Sequence, residues 1–347
     1  MPLHQTVPQE PYRELLGPRD TERAILKIKD AFQTSLAYEL GLTRVTAPLF
    51  VESGSGINDD LNGVEKPVSF TMSGVDGRRA EIVQSLAKWK RTALADLGFG
   101  VGEGLYADMN AIRPDEVPDA THSLYVDQWD WERVMAADDR SVEFLVDTVR
   151  RIYDIIRRTE RYICHEYDEL TPYLPDWITV VHAEELLARY PDLPPRERER
   201  EACREHGAIF VIGIGALLSN GEPHDGRAPD YDDWITETAP RRRGLNGDIV
   251  VYNRVLDDAF ELSSMGIRVT PESLREQLAL CNASARERLA FHRRLLAGEL
   301  PLSIGGGIGQ SRLCMLYLQK AHIGEIQASI WPESMRASCA AAGIRLL

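Results

Sequence analysis

One segment of this chain predicts a strand with polar residues on its inward face. The segment 122–132, HSLYVDQWDWE, has the alternation of a β-strand, and Leu124, Val126, Gln128 and Asp130 share one face. That face begins apolar, so we expect it to point inward. Since buried polar groups need partners, the protein or a ligand must satisfy Gln128 and Asp130. The alternative is that the strand end emerges into solvent.

Helices and mostly antiparallel strands are predicted around this segment. Apolar residues at helical spacing predict a helix over 21–40, with Asp20 as its N-cap and Gly41 at its end. Further helices are predicted over 85–97, 141–168, 183–189, 195–206 and 271–297, and strands over 42–52, 68–71, 105–112, 122–131, 177–182, 208–214 and 247–253. We expect one compact domain over 20–347 after an irregular N-terminal arm, 1–19.

The composition is that of a globular protein and argues against several functions. Of the 347 residues, 44% are hydrophobic and 27% charged, which supports a sizeable core. The net charge of −14 disfavours binding to nucleic acid or to an anionic membrane, although arginines around a phosphate ligand remain compatible with it. Five cysteines without a CxxC pair indicate reduced thiols. With no secretion signal and no long apolar run, we expect a cytoplasmic protein without a membrane span.

Two arginines are placed where they could bind phosphate. Arg113 ends the segment LYADMNAIR, where the strand should turn, and a guanidinium there can clamp phosphate in a bidentate manner. Arg312 lies in the first turn of a helix that follows the glycine run 305–309, a favourable position for phosphate oxygens. The alternatives are a surface charge at Arg113 and simple close packing of a turn at the glycines.

Acidic residues on the later strands are candidates for a metal site. Asp248 in LNGDIVVYN and Glu261 and Ser264 in FELSSMGIR would lie on neighbouring strands, where carboxylates can hold Mg²⁺ together with phosphate oxygens. The alternative is pairing with Arg268 or solvation. The three acids of APDYDDW would ordinarily lie in a solvated loop, and Asp59 and the lysines of SLAKWKR are ambiguous in the same way between a surface position and a functional one. No Walker A, HExxH or GxSxG pattern is present.

Taken together and in order, several segments resemble the ammonia-dependent asparagine synthetases, or aspartate–ammonia ligases. These segments are SGINDDLNGVEKPVSF, VQSLAKWKR, EGLYADMNAIRPDE, HSLYVDQWDWERVM, VIGIGALLSNG, RAPDYDDW, LNGDIVVYN, LDDAFELSSMGIRV and IGGGIGQSRLCML. They cover nearly the whole chain beyond the arm. That family shares the catalytic fold of class II aminoacyl-tRNA synthetases, so the resemblance implies an α+β fold with an antiparallel sheet flanked by helices. It also implies a homodimer, with the helix 21–40 and the strand ending at Pro48 as the interface motif.

The resemblance implies a role for each candidate residue. Arg113 would hold the α-phosphate of ATP and Arg312 the distal phosphates, while Asp248 and Glu261, with Ser264 beside them, would hold Mg²⁺. The residues expected to line the aspartate pocket are Asp59, Ser85, Lys90, Gln128, Asp130, Asp232 and Arg268. Asp59, Arg113 and Gln128 are the candidate catalytic residues.

The reaction that the resemblance implies has two steps. The side-chain carboxylate of aspartate attacks the α-phosphorus of ATP to form β-aspartyl-adenylate, and ammonia then attacks the acyl carbon to release asparagine and AMP. Asp59 would bind ammonium and help to remove its proton. Asp130 and Asp232 would accept hydrogen bonds from the α-amino group, and Arg268 and Lys90 would bind the α-carboxylate.

Three other functions compete with this hypothesis. A glutamine-dependent asparagine synthetase needs an N-terminal catalytic cysteine, whereas the first cysteine here is Cys164. A class II aspartyl- or asparaginyl-tRNA synthetase would carry an added anticodon-binding barrel, and the acidic balance offers no obvious tRNA surface. A regulatory paralogue that binds AMP or aspartate has no reason to keep Arg113, Gln128, Glu261 and Arg312 together.

Overall fold

The chain folds into a large mixed sheet with helices on both faces, in a computed structural model that describes residues 12–59 and 65–347. The α-helices in these ranges are α1 Pro18–Leu40, α2 Ala87–Asp96, α3 Val142–Glu166, α4 Ala183–Arg189, α5 Pro195–His206, α6 Pro271–Leu280, α7 Ala290–Leu296, α8 Gln310–Tyr317 and α9 Glu333–Ala341. The strands are β1 Leu42–Arg44, β2 Phe50–Glu52, β3 Ser69–Met72, β4 Arg78–Ile82, β5 Gly104–Ile112, β6 Tyr125–Val134, β7 Thr179–His182, β8 Ala208–Ile212, β9 Glu237–Ala239, β10 Arg242–Arg243, β11 Asn246–Asn253, β12 Asp258–Ile267 and β13 Ser303–Gly309.

Helix α1 begins earlier than the sequence predicts. Its N-cap is Gly17, and Pro18 occupies the first turn, where its missing N–H has no helical partner to lose. Asp20 lies inside the first turn, so its prediction as the N-cap was wrong. Gly41 ends the helix as predicted, in the left-handed conformation with φ of 68°. Of the predicted arm, residues 1–11 lie outside the described residues, and Leu16 is buried in the core.

The central sheet has eight strands in the order β1-β5-β6-β13-β12-β11-β8-β7. Neighbouring strands from β5 to β8 are antiparallel, and the two outermost pairs, β1 with β5 and β7 with β8, are parallel. Strands β2, β4 and β3 form a separate small sheet. The predicted α+β fold, an antiparallel sheet flanked by helices, is confirmed.

The glycine run is a strand, not the turn that the sequence suggested. Gly305, Gly306 and Gly307 lie in β13, at the centre of the sheet between β6 and β12. A Cβ atom at Gly305 would overlap the Glu132 carboxylate, and one at Gly307 would overlap the Gln128 side chain. The glycines are therefore needed because neighbouring strands place long polar side chains over this one.

Two other predicted elements are interrupted. The predicted strand 42–52 divides into β1, which pairs with β5, and β2, which pairs with β4 in the small sheet. Pro48 lies between them and cannot donate to a ladder. The predicted helix 271–297 divides into α6, a short 3₁₀ segment and α7, and Asn282 at the first break has φ of 54°. A left-handed residue of this kind ends an α-helix.

One face of the sheet carries the main hydrophobic core. Helices α1, α3 and α8 pack there, and Phe32 of α1 stacks on Trp129 of β6 with ring centroids 4.7 Å apart. Helix α2 lies on the opposite face, against β5, β6 and β13. Both faces near the middle of β6 are thus covered, and the second face is where polar side chains gather.

Within residues 12–59 and 65–347, no helix is both long and apolar enough to cross a membrane.

Candidate active site

A cavity of about 550 Å³ lies on the α2 side of the central sheet. Strands β6, β12 and β13 form its floor, while α2, the turn after β5 and the segment 225–232 contribute walls. The predicted residues that line it are Asp59, Ser85, Lys90, Arg113, Gln128, Asp130, Asp232, Glu261, Ser264, Arg268 and Arg312. Asp248 does not line the cavity and lies behind Ser264, to which it is hydrogen-bonded. Residues as far apart in sequence as Asp59 and Arg312, 253 positions, thus meet in one place.

Strand β6 presents its two faces as the alternation predicted. Trp129 and Trp131 are fully buried in the core, while Gln128 and Asp130 line the cavity. Glu132 continues the polar series and is also completely buried. It was not among the predicted site residues, although the same period-2 rule that selected Gln128 and Asp130 reaches it.

Arg268, at the end of β12, is held between two carboxylates. Its Nε lies 2.9 Å from Oε1 of Glu132 and its Nη2 lies 2.7 Å from Oε2, a bidentate pair, and its Nη1 donates to Asp232. Burial alone would lower the pKa of Arg268, but the charges of Glu132 and Asp232 outweigh it and raise that pKa. The guanidinium is therefore rigidly placed and fully charged.

Lys90 of α2 pairs with Asp130 across the same cavity. Its Nζ donates to Oδ1 of Asp130 and, at 2.8 Å, to the carbonyl oxygen of Gly306. Burial lowers the pKa of Lys90, and the charge of Asp130 opposes this shift. Oδ2 of Asp130 is buried and has no hydrogen-bond partner among the described residues. A buried carboxylate oxygen of this kind is costly unless a ligand donates to it.

Arg113 begins the turn between β5 and β6. Its backbone N–H donates to the carbonyl oxygen of Leu124 at 2.8 Å, which fixes the turn. The side chain lines the cavity, and its Nε is buried without a hydrogen-bond partner in the described part of the chain. A guanidinium with an unused donor on a cavity wall is suited to an anionic ligand.

Arg312 and Glu261 lie together on another part of the wall. Arg312, in the first turn of α8, donates from Nη1 to the carbonyl oxygen of Glu261 at 3.0 Å, and its guanidinium lies over the ring of Phe260. The Glu261 carboxylate lies 3.7 Å from the Nη1 atom of Arg312, and its side chain is 45% exposed. The glycine strand and helix α8 thus present Arg312 to the cavity as the sequence suggested.

Asp248 of β11 is held by a serine and an arginine. Oδ1 of Asp248 accepts from the Ser264 hydroxyl at 2.6 Å and from Nη2 of Arg227 at 2.5 Å. Burial raises the pKa of Asp248, the charge of Arg227 lowers it and the charge of Glu261 raises it. Asp248 is buried near a second acid, Glu261, so its carboxylate needs the positive charge of Arg227.

The pair Asp248 and Glu261 fits an oxygen-liganded cation. Oγ of Ser264 lies within hydrogen-bond distance of both carboxylates, at 2.6 Å and 3.4 Å, so the two acids converge on one point. Across residues 12–59 and 65–347, no group of three or more His, Cys, Asp or Glu side chains is arranged to hold a metal ion. A hard cation placed here would need additional oxygen ligands such as phosphate oxygens.

Asp59 also lines the cavity and is only 1% exposed. Its backbone carbonyl accepts from Nε2 of Gln84 at 2.9 Å. The hydroxyl of Tyr231 donates to its carboxylate, and burial together with the charge of Asp59 raises the pKa of Tyr231 well above its usual value. Ser85, next in sequence to Gln84, accepts from the Ala87 N–H at the start of α2.

Three residues of the site were missed from the sequence: Glu132, Arg227 and Tyr231. Glu132 had the alternation of β6 as a signal. Arg227 and Tyr231 belong to RAPDYDDW, where the acids drew attention and the arginine and tyrosine did not. The local pattern of this segment is typical of a solvated loop. It gives no sign that the three acids are buried and ion-paired.

Comparisons with known proteins identify the family of this chain. The model of the aspartate-ammonia ligase family matches residues 19–343. The aspartate–ammonia ligase of Parabacteroides distasonis is 57% identical over 336 residues, which are 97% of each chain. Those of Bacteroides fragilis and Clostridium perfringens are 55% and 54% identical, again over 97% of each chain.

Solved structures of synthetases share the fold. Asparaginyl-tRNA synthetase of Entamoeba histolytica, in complex with asparaginyl-adenylate, superposes with a TM-score of 0.66 at 13% identity, covering 89% of this chain and 66% of that one. The Pyrococcus horikoshii enzyme with the same adenylate gives a TM-score of 0.65 at 16% identity, covering 90% of this chain and 70% of that one. This chain thus spans about two thirds of each synthetase, and the class II synthetase-like fold is confirmed. From the family match and these identities, the chain is an enzyme that belongs to the aspartate–ammonia ligase family.

Proposed function

We propose that this enzyme amidates L-aspartate with ammonia, using ATP, to give L-asparagine, AMP and diphosphate through a β-aspartyl-adenylate. One observation carries the proposal beyond family membership. Asp130 and Arg113 line the same cavity, and each has a buried polar atom without a partner in the described residues: an acceptor oxygen on Asp130 and a donor N–H on Arg113. An amino acid supplies the donor that the first needs, and a phosphate supplies the acceptor that the second needs.

Aspartate recognition follows from the charges around Arg268 and Lys90. The α-ammonium group would donate to Oδ2 of Asp130 and to Asp232, and the α-carboxylate would accept from Arg268 and Lys90. Both cations already have acidic partners, which hold them in place when no substrate is bound. Ser85 and the amide of Gln128 line the same part of the cavity and would position the side-chain carboxylate for attack.

ATP would bind where Arg113 and Arg312 face the cavity. The two substrates are both anions, so their repulsion must be cancelled before they react. Arg113 would neutralise the α-phosphate, where charge develops as the aspartate oxygen attacks, and Arg312 would hold the departing diphosphate. The attack forms a bond between the β-carboxylate oxygen and the α-phosphorus and breaks the bond from that phosphorus to the diphosphate oxygen.

Asp248 and Glu261, with Ser264 between them, would hold Mg²⁺ against the phosphates of ATP. When bound, the ion would add positive charge at the phosphates and so favour departure of diphosphate. The convergence of the two carboxylates on Oγ of Ser264 supports this assignment. Arg113 and Arg312 would not take the place of Mg²⁺, because neither arginine pairs with Asp248.

Asp59 would bind ammonium and accept the proton that ammonium must lose before its nitrogen can attack. Tyr231 donates to Asp59 and has a raised pKa, so it keeps its proton and orients the carboxylate. Ammonia then attacks the acyl carbon of the adenylate, and the bond from that carbon to the AMP oxygen breaks. Asparagine and AMP leave in equal amounts.

A product assay with and without tRNA tests the proposal. Purified enzyme with aspartate, ATP, Mg²⁺ and ammonium should form asparagine and AMP in a one-to-one ratio without tRNA. ADP in place of AMP would contradict the adenylate route. Product that requires tRNA would favour a tRNA synthetase, and bound AMP without turnover would favour a regulatory paralogue.

We also propose that the enzyme is a homodimer that works in the cytoplasm. In the single chain, Leu26 and Tyr38 of α1 are 62% and 88% exposed, and Leu49 and Phe50 after β1 are 52% and 46% exposed. Apolar side chains at that level of exposure, in and directly after the segments that resemble the class II interface motif, support an interface between copies. Cys164, Cys203, Cys281 and Cys314 are free thiols, which suits a reducing compartment.

A further inference from the structure

Arg227 contacts two residues that line the cavity, Ser264 and Asp232, and also Asp248 behind Ser264. Its Nη1 donates to Oγ of Ser264 at 2.9 Å, its Nη2 donates to Oδ1 of Asp248 at 2.5 Å, and its Nε lies 3.5 Å from Oδ2 of Asp232. Its side chain is 11% exposed, so these contacts form in a largely dry environment. Burial disfavours the charged guanidinium, but the charges of Asp248 and Asp232 outweigh this and raise the pKa of Arg227.

The loop backbone around Arg227 is closely packed. Gly215 has φ of 104°, and a Cβ atom there would lie 2.8 Å from Cβ of Arg227 and 2.9 Å from Cγ of Trp234. A side chain at position 215 would therefore push the arginine away from β11 and β12. The close approach fixes the Cβ end of the Arg227 side chain.

The Arg227 guanidinium supplies the positive charge that the buried Asp248 carboxylate needs. Asp248 is 6% exposed, and an unpaired carboxylate there would be costly. The same oxygen, Oδ1, accepts from both Ser264 and Arg227. A divalent ion shared by Asp248 and Glu261 would add a second positive group beside Arg227, so the two cations compete for one carboxylate.

We propose that Arg227 is a built-in countercharge for Asp248, which keeps the metal end of the cavity folded without metal and is displaced from Asp248 when Mg²⁺ arrives with ATP. This inference rests on the proposed ATP and Mg²⁺ site. Asp232 keeps the displaced guanidinium within the cavity, because it lies next to Nε. Arg227 acts in this account as a positioning residue that weakens metal binding until a nucleotide adds its phosphate oxygens.

Manganese titration without nucleotide provides the test. Free Mn²⁺ is followed by electron paramagnetic resonance in the wild type, in Arg227→Gln, which removes the charge, and in Arg227→Lys, which keeps it. We expect Arg227→Gln to bind Mn²⁺ about 10-fold more tightly than the wild type, whereas Arg227→Lys stays close to it. Equal affinity in all three proteins, or equal tightening in both variants, would overturn the proposal.

Thermal unfolding gives a readout that does not depend on catalysis. In EDTA, the Tm of Arg227→Gln should fall by roughly 5 °C or more, and Mg²⁺ should restore most of this loss while changing the wild-type Tm little. A Tm loss that is the same in EDTA and in Mg²⁺ would show that Arg227 is only a structural ion pair and would overturn the proposal.

A double variant keeps the test decisive if Arg227→Gln does not fold. Asp248→Asn combined with Arg227→Gln removes both charges, so the double variant should have a higher Tm than the Arg227→Gln single variant. It should bind Mn²⁺ no more tightly than Asp248→Asn alone. A double variant no more stable than Arg227→Gln would contradict the countercharge role. Failure of the wild type to make asparagine would overturn the proposed function instead, and the nucleotide-free Mn²⁺ titration would still decide the role of Arg227.

Discussion

Arg268 and Glu132 form a bidentate ion pair between β12 and β6, with N–O distances of 2.9 Å and 2.7 Å. The two side chains meet over Gly305 of β13, the strand between them, where any Cβ atom would overlap the Glu132 carboxylate. The hydroxyl of Ser303 donates to the same carboxylate at 2.7 Å. The pair thus fixes the guanidinium that we assign to the α-carboxylate of aspartate.

Glu132→Gln should destabilise the protein and weaken aspartate binding. Removing one partner of a buried ion pair leaves an imperfectly compensated charge, so we expect a loss of about 3 kcal/mol in the free energy of unfolding, measured by urea denaturation. The matched control is Glu52→Gln, whose pair with Arg78 is about half exposed on both sides and should contribute less than about 1 kcal/mol. Equal losses in the two variants would contradict the role of Glu132.

Asp130→Asn should raise the KM for aspartate and leave the KM for ATP nearly unchanged. The variant loses a charged acceptor for the α-ammonium group, a bond worth about 1.5–3 kcal/mol, so the expected increase is roughly 10- to 100-fold. Steady-state kinetics with each substrate varied in turn measure it. Asp96→Asn, on the exposed pair with Arg294, is the control. An Asp130→Asn effect confined to ATP would place the residue at the wrong end of the cavity.

Arg113→Ala should lower kcat for adenylate formation by about 10²- to 10³-fold, because a group aimed at charge that develops in the transition state is lost. Quench-flow measurement of diphosphate release follows this step, and Arg189→Ala, on a surface pair with Glu205, serves as the control. Undiminished adenylate formation would remove Arg113 from the phosphate site.

His322 should make stability depend on pH below neutrality. Its ring is fully buried against Trp331, and burial lowers its pKa from 6.5 to about 4. Between these values the unfolded chain binds more protons, so the stabilisation is complete above pH 6.5 and is lost as the pH falls toward 4, by roughly 3 kcal/mol at most. His322→Asn, which can still accept from the Gly324 N–H, should flatten the curve of unfolding free energy between these pH values. Parallel curves for variant and wild type would exclude His322 as the cause.

Tyr38→Glu should shift the enzyme from dimer to monomer. Tyr38 is 88% exposed on α1, and a carboxylate buried in an apolar interface would disfavour association. Size-exclusion chromatography with light scattering measures the mass. Trp177→Glu changes an equally exposed aromatic residue elsewhere, at 82% exposure, and should leave the dimer intact. A monomeric wild type, or dissociation by Trp177→Glu alone, would contradict the proposed interface.

The sequence predicted those parts of the site that depend on residues close together in the chain, and not those that depend on residues far apart. The period-2 pattern of β6 placed Gln128 and Asp130 on the correct face because neighbouring residues in a strand obey a local rule. The glycine run was interpreted wrongly, since only the neighbouring strands show why side chains are excluded from β13. The pairing of Arg268 with Glu132 joins residues 136 positions apart, and no local pattern specifies such a contact.

The segment 227–232 shows the same limit. Its two acids look like part of a solvated loop, yet Asp230 and Asp232 are buried and paired with cations from other elements: Lys88 and Arg286 for Asp230, and Arg268 for Asp232. Partners of this kind are supplied by the tertiary fold. Family resemblance selected Asp232 correctly as a cavity residue, whereas Arg227 became visible only through its contacts.

Isotope transfer tests the adenylate route most directly. Aspartate labelled with ¹⁸O in its β-carboxylate is converted with ATP, Mg²⁺ and ammonium, and the nucleotide and phosphate products are analysed by mass spectrometry. If the carboxylate oxygen attacks the α-phosphorus, one labelled oxygen must leave with AMP when ammonia breaks the acyl bond. Label in AMP is the result we predict. Label in inorganic phosphate together with ADP, or AMP without label, would contradict the proposed mechanism.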